Sequence, residues 1–203
     1  MFKRVLVLFE HLFLKKEGNT RLKRKLTINK IKEWVEVFHP KDVLSDQLLA
    51  NANDPSWYVP FSESIKNLTE EEAFWKVNEA SNSIAEIVQH LLYWNETWQT
   101  RYKENSIDAV QAVGDNDSTF TIATNKTFEE LQQQLLEVLL HWQKILTEQQ
   151  LESEVQGYFH ANWWQVLGNV TTHNAYHIGQ IVYIRKLQKS WHNSDSNEGD
   201  RNL

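Results

Sequence analysis

The 203-residue chain has no cysteine, which removes disulfide frameworks, thiolate metal sites, CxxC redox motifs and cysteine nucleophiles together. Proline is scarce and confined to Pro40, Pro55 and Pro60, and glycine is thin, with three between residues 114 and 168 (Gly114, Gly157, Gly168), a poor composition for a turn-rich β fold. No apolar run approaches the ~20 residues of a membrane span. The nearest, VLVLFEHLFL, is broken by Glu10 and His11 and is followed by another basic cluster instead of a small-residue cleavage site, so it makes a poor secretory signal and the expected compartment is the cytoplasm. Net positive charge is also lacking. A formal charge of −6 argues against a nucleic-acid binder.

What is present is ordinary for a soluble domain: 41% hydrophobic and 24% charged residues, in a length that reads as one domain. The charge is unevenly placed. Residues 1–32 hold ten Lys or Arg against only Glu10 and Glu17, a segment of +8 ahead of a body of −14. This basic leader reads as an arm outside the fold or as an artefact of start-site choice. KKEGN is what a translated purine-rich ribosome-binding sequence would give, and Leu22 or Leu26 would then be a non-ATG start. The tail 192–203 (HNSDSNEGDRNL) lacks an apolar period and is expected to be disordered, which leaves 33–191 as the folded domain.

From Ile28 onward the apolar period is helical almost throughout. Ile28, Ile31, Val35 and Phe38 mark a first helix, interrupted at His39-Pro40 and resumed over Val43–Ala52. A short helix is expected over TEEEAFW, with Thr69 and Glu72 as a capping box, after a loop with aromatic anchors. A long helix follows from Ser83 to about Lys103, another from Thr127 to near Gln150, and a last from about Asn162 to Trp191. Between them, residues 105–126 lose the period and read as a long crossover. Four amphipathic segments with one long connection predict an all-α four-helix bundle, whose interior is where such folds build metal sites.

Two histidines in THNAYHIGQ, His173 and His177, are four residues apart and share a helix face with Val170, Ile181 and Ile184. His90 interrupts the apolar side of its own helix between Ile87 and Trp94 in the same way. Imidazoles aimed into a core are costly without partners, and one divalent ion partners all three at once. Three neutral ligands leave coordination positions open, as catalytic sites do. Asn174 and Ala175 occupy the places where a zinc protease would carry its glutamate, which argues against that reaction. The bland alternative is that each imidazole is a hydrogen-bonded core residue.

Around this set, Gln180 could hold a ligand or a water, Asn174 and Tyr176 flank the ligand face, and Glu86 could reach the site although it also suits the capping box of its helix. Trp57, Trp94 and Trp163 are candidates for an apolar pocket. His160 is a candidate for the site mouth, and His141 reads as surface.

The segments SNSIAEIVQHLLYWNETW and THNAYHIGQIVYIRKL resemble the DinB-like (damage-inducible, YfiT-type) superfamily, in order and separation, over roughly residues 43–190. The resemblance implies an up-down-down-up bundle, often dimeric, with His90, His173 and His177 as ligands of a divalent metal, zinc or nickel. Asn174 stands where the family commonly has Asp. The resemblance further implies activation of a low-molecular-weight thiol of the bacillithiol type for transfer to an electrophile, or a related hydrolysis. A non-catalytic metal-binding stress-response bundle and a metal-free interaction module are the alternatives.

Overall fold

A computed structural model describes residues 39–158 and 160–191. The leader, the helix expected over Ile28–Phe38 and the tail lie outside these residues. Among the described residues there are seven α-helices and no strand.

Local sequence fixes where each helix starts. Helix α1 (Pro40–Ala52) begins at Pro40, three residues earlier than the period suggested, because proline suits the first helical position and the His39 ring accepts the Lys41 N–H at 3.1 Å. Helices α2 (Phe61–Ser64) and α3 (Glu70–Phe74) are single turns, the latter capped by Thr69 and Glu72 as expected. Helix α4 (Ile84–Glu104) starts at the Ser83–Glu86 capping box and ends where Asn105 turns left-handed at φ 52°. Helix α5 (Phe128–Ile145) has a Thr127–Glu130 box.

Two helix ends differ from the sequence reading. The stretch expected to continue α5 to Gln150 breaks at Leu146, where the backbone is extended, and Thr147 caps a separate short helix, α6 (Glu148–Glu152). The break is held by the Tyr102 hydroxyl, which accepts the Thr147 N–H at 3.2 Å. Helix α7 (Trp163–Leu187) stops short of Trp191. There the chain folds back, with Lys189 at φ 62° and the Arg185 guanidinium donating to the Ser190 carbonyl at 2.7 Å.

The four long helices form the bundle, with α4 packed on α5 and α7, and α1 packed on the same two. Two apolar clusters show their directions. One joins the starts of α4 and α5 (Ile84, Leu91, Phe128, Leu135) to the end of α7 (Ile178, Ile181, Ile184) and includes Ala52 from the end of α1. The other joins the ends of α4 and α5 (Tyr102, Trp142) to the starts of α7 and α1 (Trp163, Val170, Leu44). Hence α4 and α5 run parallel to each other and antiparallel to α1 and α7, the up-down-down-up order. Parallel neighbours need a long connection, and the crossover between α4 and α5 supplies it.

A polar layer separates the two clusters. Asn51, Asn95 and Asn174, all fully buried, come from α1, α4 and α7. The Asn95 and Asn174 amides exchange two hydrogen bonds, at 2.8 and 3.2 Å, and the Trp142 indole N–H donates to Asn95 Oδ1 at 3.0 Å. Asn51 donates to the Thr171 carbonyl at 3.0 Å and accepts from the Tyr58 hydroxyl at 2.7 Å.

Candidate metal centre

His90 sits in the middle of α4, and His173 and His177 lie on successive turns of α7, just beyond the polar layer toward the end of α7. One nitrogen from each of the three rings falls within 4.8 Å of the others. The ring centroids are 4.6 to 5.1 Å apart, and His90 Nε2 stands 3.1 Å from His173 Nε2. Two imidazole nitrogens on a tetrahedral ion at 2.0–2.1 Å are about 3.3 Å apart. The donor set therefore fits one divalent ion, with His90, His173 and His177 as its holders. No carboxylate belongs to the group, so the ligands leave the ion's charge uncompensated.

The histidines lie at the edge of the core face of their helices, not on the bundle axis. On α7 the axis is occupied by Asn174 and Ile178, both essentially without exposure, while His177 retains 8% and His173 is half-buried. The other side of the site is closed by the crossover. Its second 3₁₀ turn, Asn116–Phe120, packs back on α4: the Phe120 ring stacks on His90 at 4.0 Å with 7° between planes. The Thr119 hydroxyl is hydrogen-bonded to His90 Nδ1, and the Trp94 indole N–H donates to Asn116 Oδ1 at 3.3 Å.

Burial among like groups sets the electrostatics. The His90 pKa is pushed down to about 3, first by loss of hydration and then by the facing His177 and His173. His173 is lowered to about 4 by desolvation and by His177. Desolvation also lowers His177, opposed by its hydrogen bond to Gln180. The three rings are thus neutral at pH 7, the state in which imidazole binds metal.

Among the remaining candidates, Gln180 is at the site: its Oε1 lies 2.7 Å from His177 Nδ1. Tyr176 is 63% exposed, with its ring edge-on to His177 at 5.0 Å, where it borders the solvent side. Asn174 points elsewhere. Both atoms of its amide are taken by Asn95, because one residue of helical advance turns it about 100° away from His173. Glu86 is engaged at the helix start, accepting the Ser83 N–H at 2.7 Å and pairing with Lys76 at 2.7 Å. A cleft of about 400 Å³ lined by Phe74, Lys76, Glu86, Asp117 and Ile122 shares Phe120 with the histidine group.

The three tryptophans separate. Trp94 lies edge-on to His90 at 6.4 Å, whereas Trp163 fills the other core cluster and Trp57 is exposed, its indole donating to Asp46. His160 stands in the exposed turn before α7, 3.7 Å from Glu154, and His141 is partly buried on α5. Sequence reasoning missed Thr119 and Phe120. The Thr-Phe pair sits in a segment without a period, and only its tertiary fold-back brings it to His90.

No helix among the described residues is long and apolar enough to cross a membrane. Comparison with known proteins agrees with the geometry. The crystal structure of a DinB-like protein, YjoA, of Bacillus subtilis is similar to this chain with a TM-score of 0.55 and 21% identity, covering 72% of this chain and 92% of that one, a likeness of fold. No curated protein matches the chain. The family model of the DinB superfamily matches residues 60–181, a span that holds α4, most of α7 and all three histidines, and the chain belongs to that superfamily.

Proposed function

We propose that the protein is a divalent-metal-dependent enzyme that uses the three-histidine centre to activate a low-molecular-weight thiol, of the bacillithiol type, for transfer to a small electrophile. The observation that supports this best is the neutral, carboxylate-free ligand set converging from two helices. A bound zinc or nickel ion with such ligands lowers the pKa of a coordinating thiol so that thiolate is available at neutral pH.

The chain's own residues supply the setting. His90, His173 and His177 hold the ion, and the downward shift of all three pKa values favours the binding-competent neutral form, which His90 and His173 keep well below pH 7. Phe120 and Trp94 exclude water from the α4 side, while the half-buried His173 and the exposed Tyr176 leave the α7 side open for a small molecule. The neighbouring cleft, with Lys76, Glu86 and Asp117 among apolar walls, offers room and charge for the polar groups that such thiols carry. A protein without cysteine has to take its thiol from solution.

The test is elemental analysis of untagged protein followed by thiol consumption with a reactive electrophile. Wild type should carry near-stoichiometric metal and turn over, and His173→Ala should lose both. Metal retained with no thiol-dependent turnover would point to a metal-binding protein without catalysis. Absence of metal even after adding zinc or nickel would remove the mechanism.

A further inference from the structure

We propose that Thr119, on the crossover, is a positioning residue that fixes His90 in its metal-binding tautomer, so that metal entry requires a proton to relocate on His173 alone. The inference rests on the metal reading of the three-histidine group and deepens it.

The argument is one of donors and acceptors. The Thr119 hydroxyl lies 2.7 Å from the Asn116 carbonyl, which can only accept, so the hydroxyl proton is committed there. Toward His90 the same oxygen must therefore accept, and the ring must donate from Nδ1. Neutral His90 then has a bare lone pair at Nε2, the nitrogen turned toward His173. On α7 the same logic holds for His177, whose Nδ1 faces the Gln180 side-chain carbonyl at 2.7 Å and carries the proton, leaving Nε2 free. Two of the three ligands are thus preset by partners outside the triad, one on the crossover and one a turn along the same helix.

His173 is different. Its Nε2 lies 3.1 Å from the bare Nε2 of His90, so in the metal-free protein it must be the donor. Its ring has no second hydrogen-bond partner among the described residues, and it is half-buried, so its proton is free to move. Metal binding at His173 Nε2 needs that proton transferred to Nδ1 of the same ring, through exchange with water; the ring stays neutral and no proton is lost from it. Without the Thr119 acceptor, His90 is free to place its own proton on Nε2 and donate to His173, which turns the first ligand away from the ion.

Nitrogen-15 spectra of the histidine rings in the full-length, metal-free protein at neutral pH test this directly. The expected result is protonated Nδ1 on His90 and His177 and protonated Nε2 on His173, with His173 alone changing tautomer when zinc is added. Zinc affinity by chelator competition should fall roughly 10- to 100-fold in Thr119→Val, the size of effect that outer partners of metal-bound histidines carry, and return in Thr119→Ser. Protonated Nε2 on wild-type His90, or zinc affinity of Thr119→Val within twofold of wild type, would overturn the proposal. If wild type took up no zinc, the metal reading would fail on its own, while the metal-free spectrum would still decide the role of Thr119. A Val variant that does not fold leaves the wild-type spectrum to decide the assignment.

Discussion

Acidification of the metal-free protein should unfold it by a route that runs through the histidine centre. In the unfolded chain the imidazoles titrate near 6.5, whereas His90 and His173 resist protonation down to about 3 and about 4. Between these values the unfolded state binds protons that the folded state refuses, so stability falls as pH drops. From pH 7 to pH 5 each of the two sites should cost about 2 kcal/mol. His177 and His141 shift in the same direction and add to the loss. Glu86 is also shifted down, against its own desolvation, by Lys76 and the Ser83 N–H, but its contribution is lost only as pH falls below the ordinary carboxylate range, outside this window. The assay is urea unfolding in chelator at pH 7 and pH 5, for wild type beside His90→Asn and His173→Asn. Each variant should lose about 2 kcal/mol less than wild type across the interval. Equal losses in all three proteins would refute the assignment of the pH dependence to these rings.

Three other perturbations separate structural from site residues. Asn174→Ala leaves the Asn95 amide short of a partner in the buried layer and should lower stability by about 2 kcal/mol, while zinc stoichiometry by elemental analysis stays at the wild-type value. Gly157→Ala combines a left-handed φ of 79° with a new methyl 2.8 Å from the Ile107 side chain, so its melting temperature should fall by several degrees. Arg185→Met removes donors to the Ser64 and Ser190 carbonyls, and hydrogen exchange at the end of α7 should quicken ahead of the rest of the helix.

The legible parts of this fold were those with a local cause. Capping boxes at Ser83 and Thr127 and the His-x-x-x-His spacing act within one helix, so a sequence displays them. Asn174 shows the limit. Helix α7 carries apolar residues around most of its circumference, and a core stripe drawn through His173 and His177 looks as regular as the true axis one residue over, through Asn174 and Ile178. The break between α5 and α6 depends on Tyr102, 45 residues away, and the wall of the three-histidine group depends on a crossover whose placement is purely tertiary. Such contacts leave no period to read.

The asparagine layer decides which packing of the bundle is allowed. Apolar ridges tolerate slippage, since one leucine contact replaces another at little cost. A slide of α7 along α4 by one turn, about 5.4 Å, would bury two amides opposite side chains that cannot answer them, at about 1–3 kcal/mol for each orphaned group. Asn95 follows His90 by five residues, and Asn174 follows His173 directly. The register lock therefore sits beside the three histidines, and it aligns their rings from two separate helices.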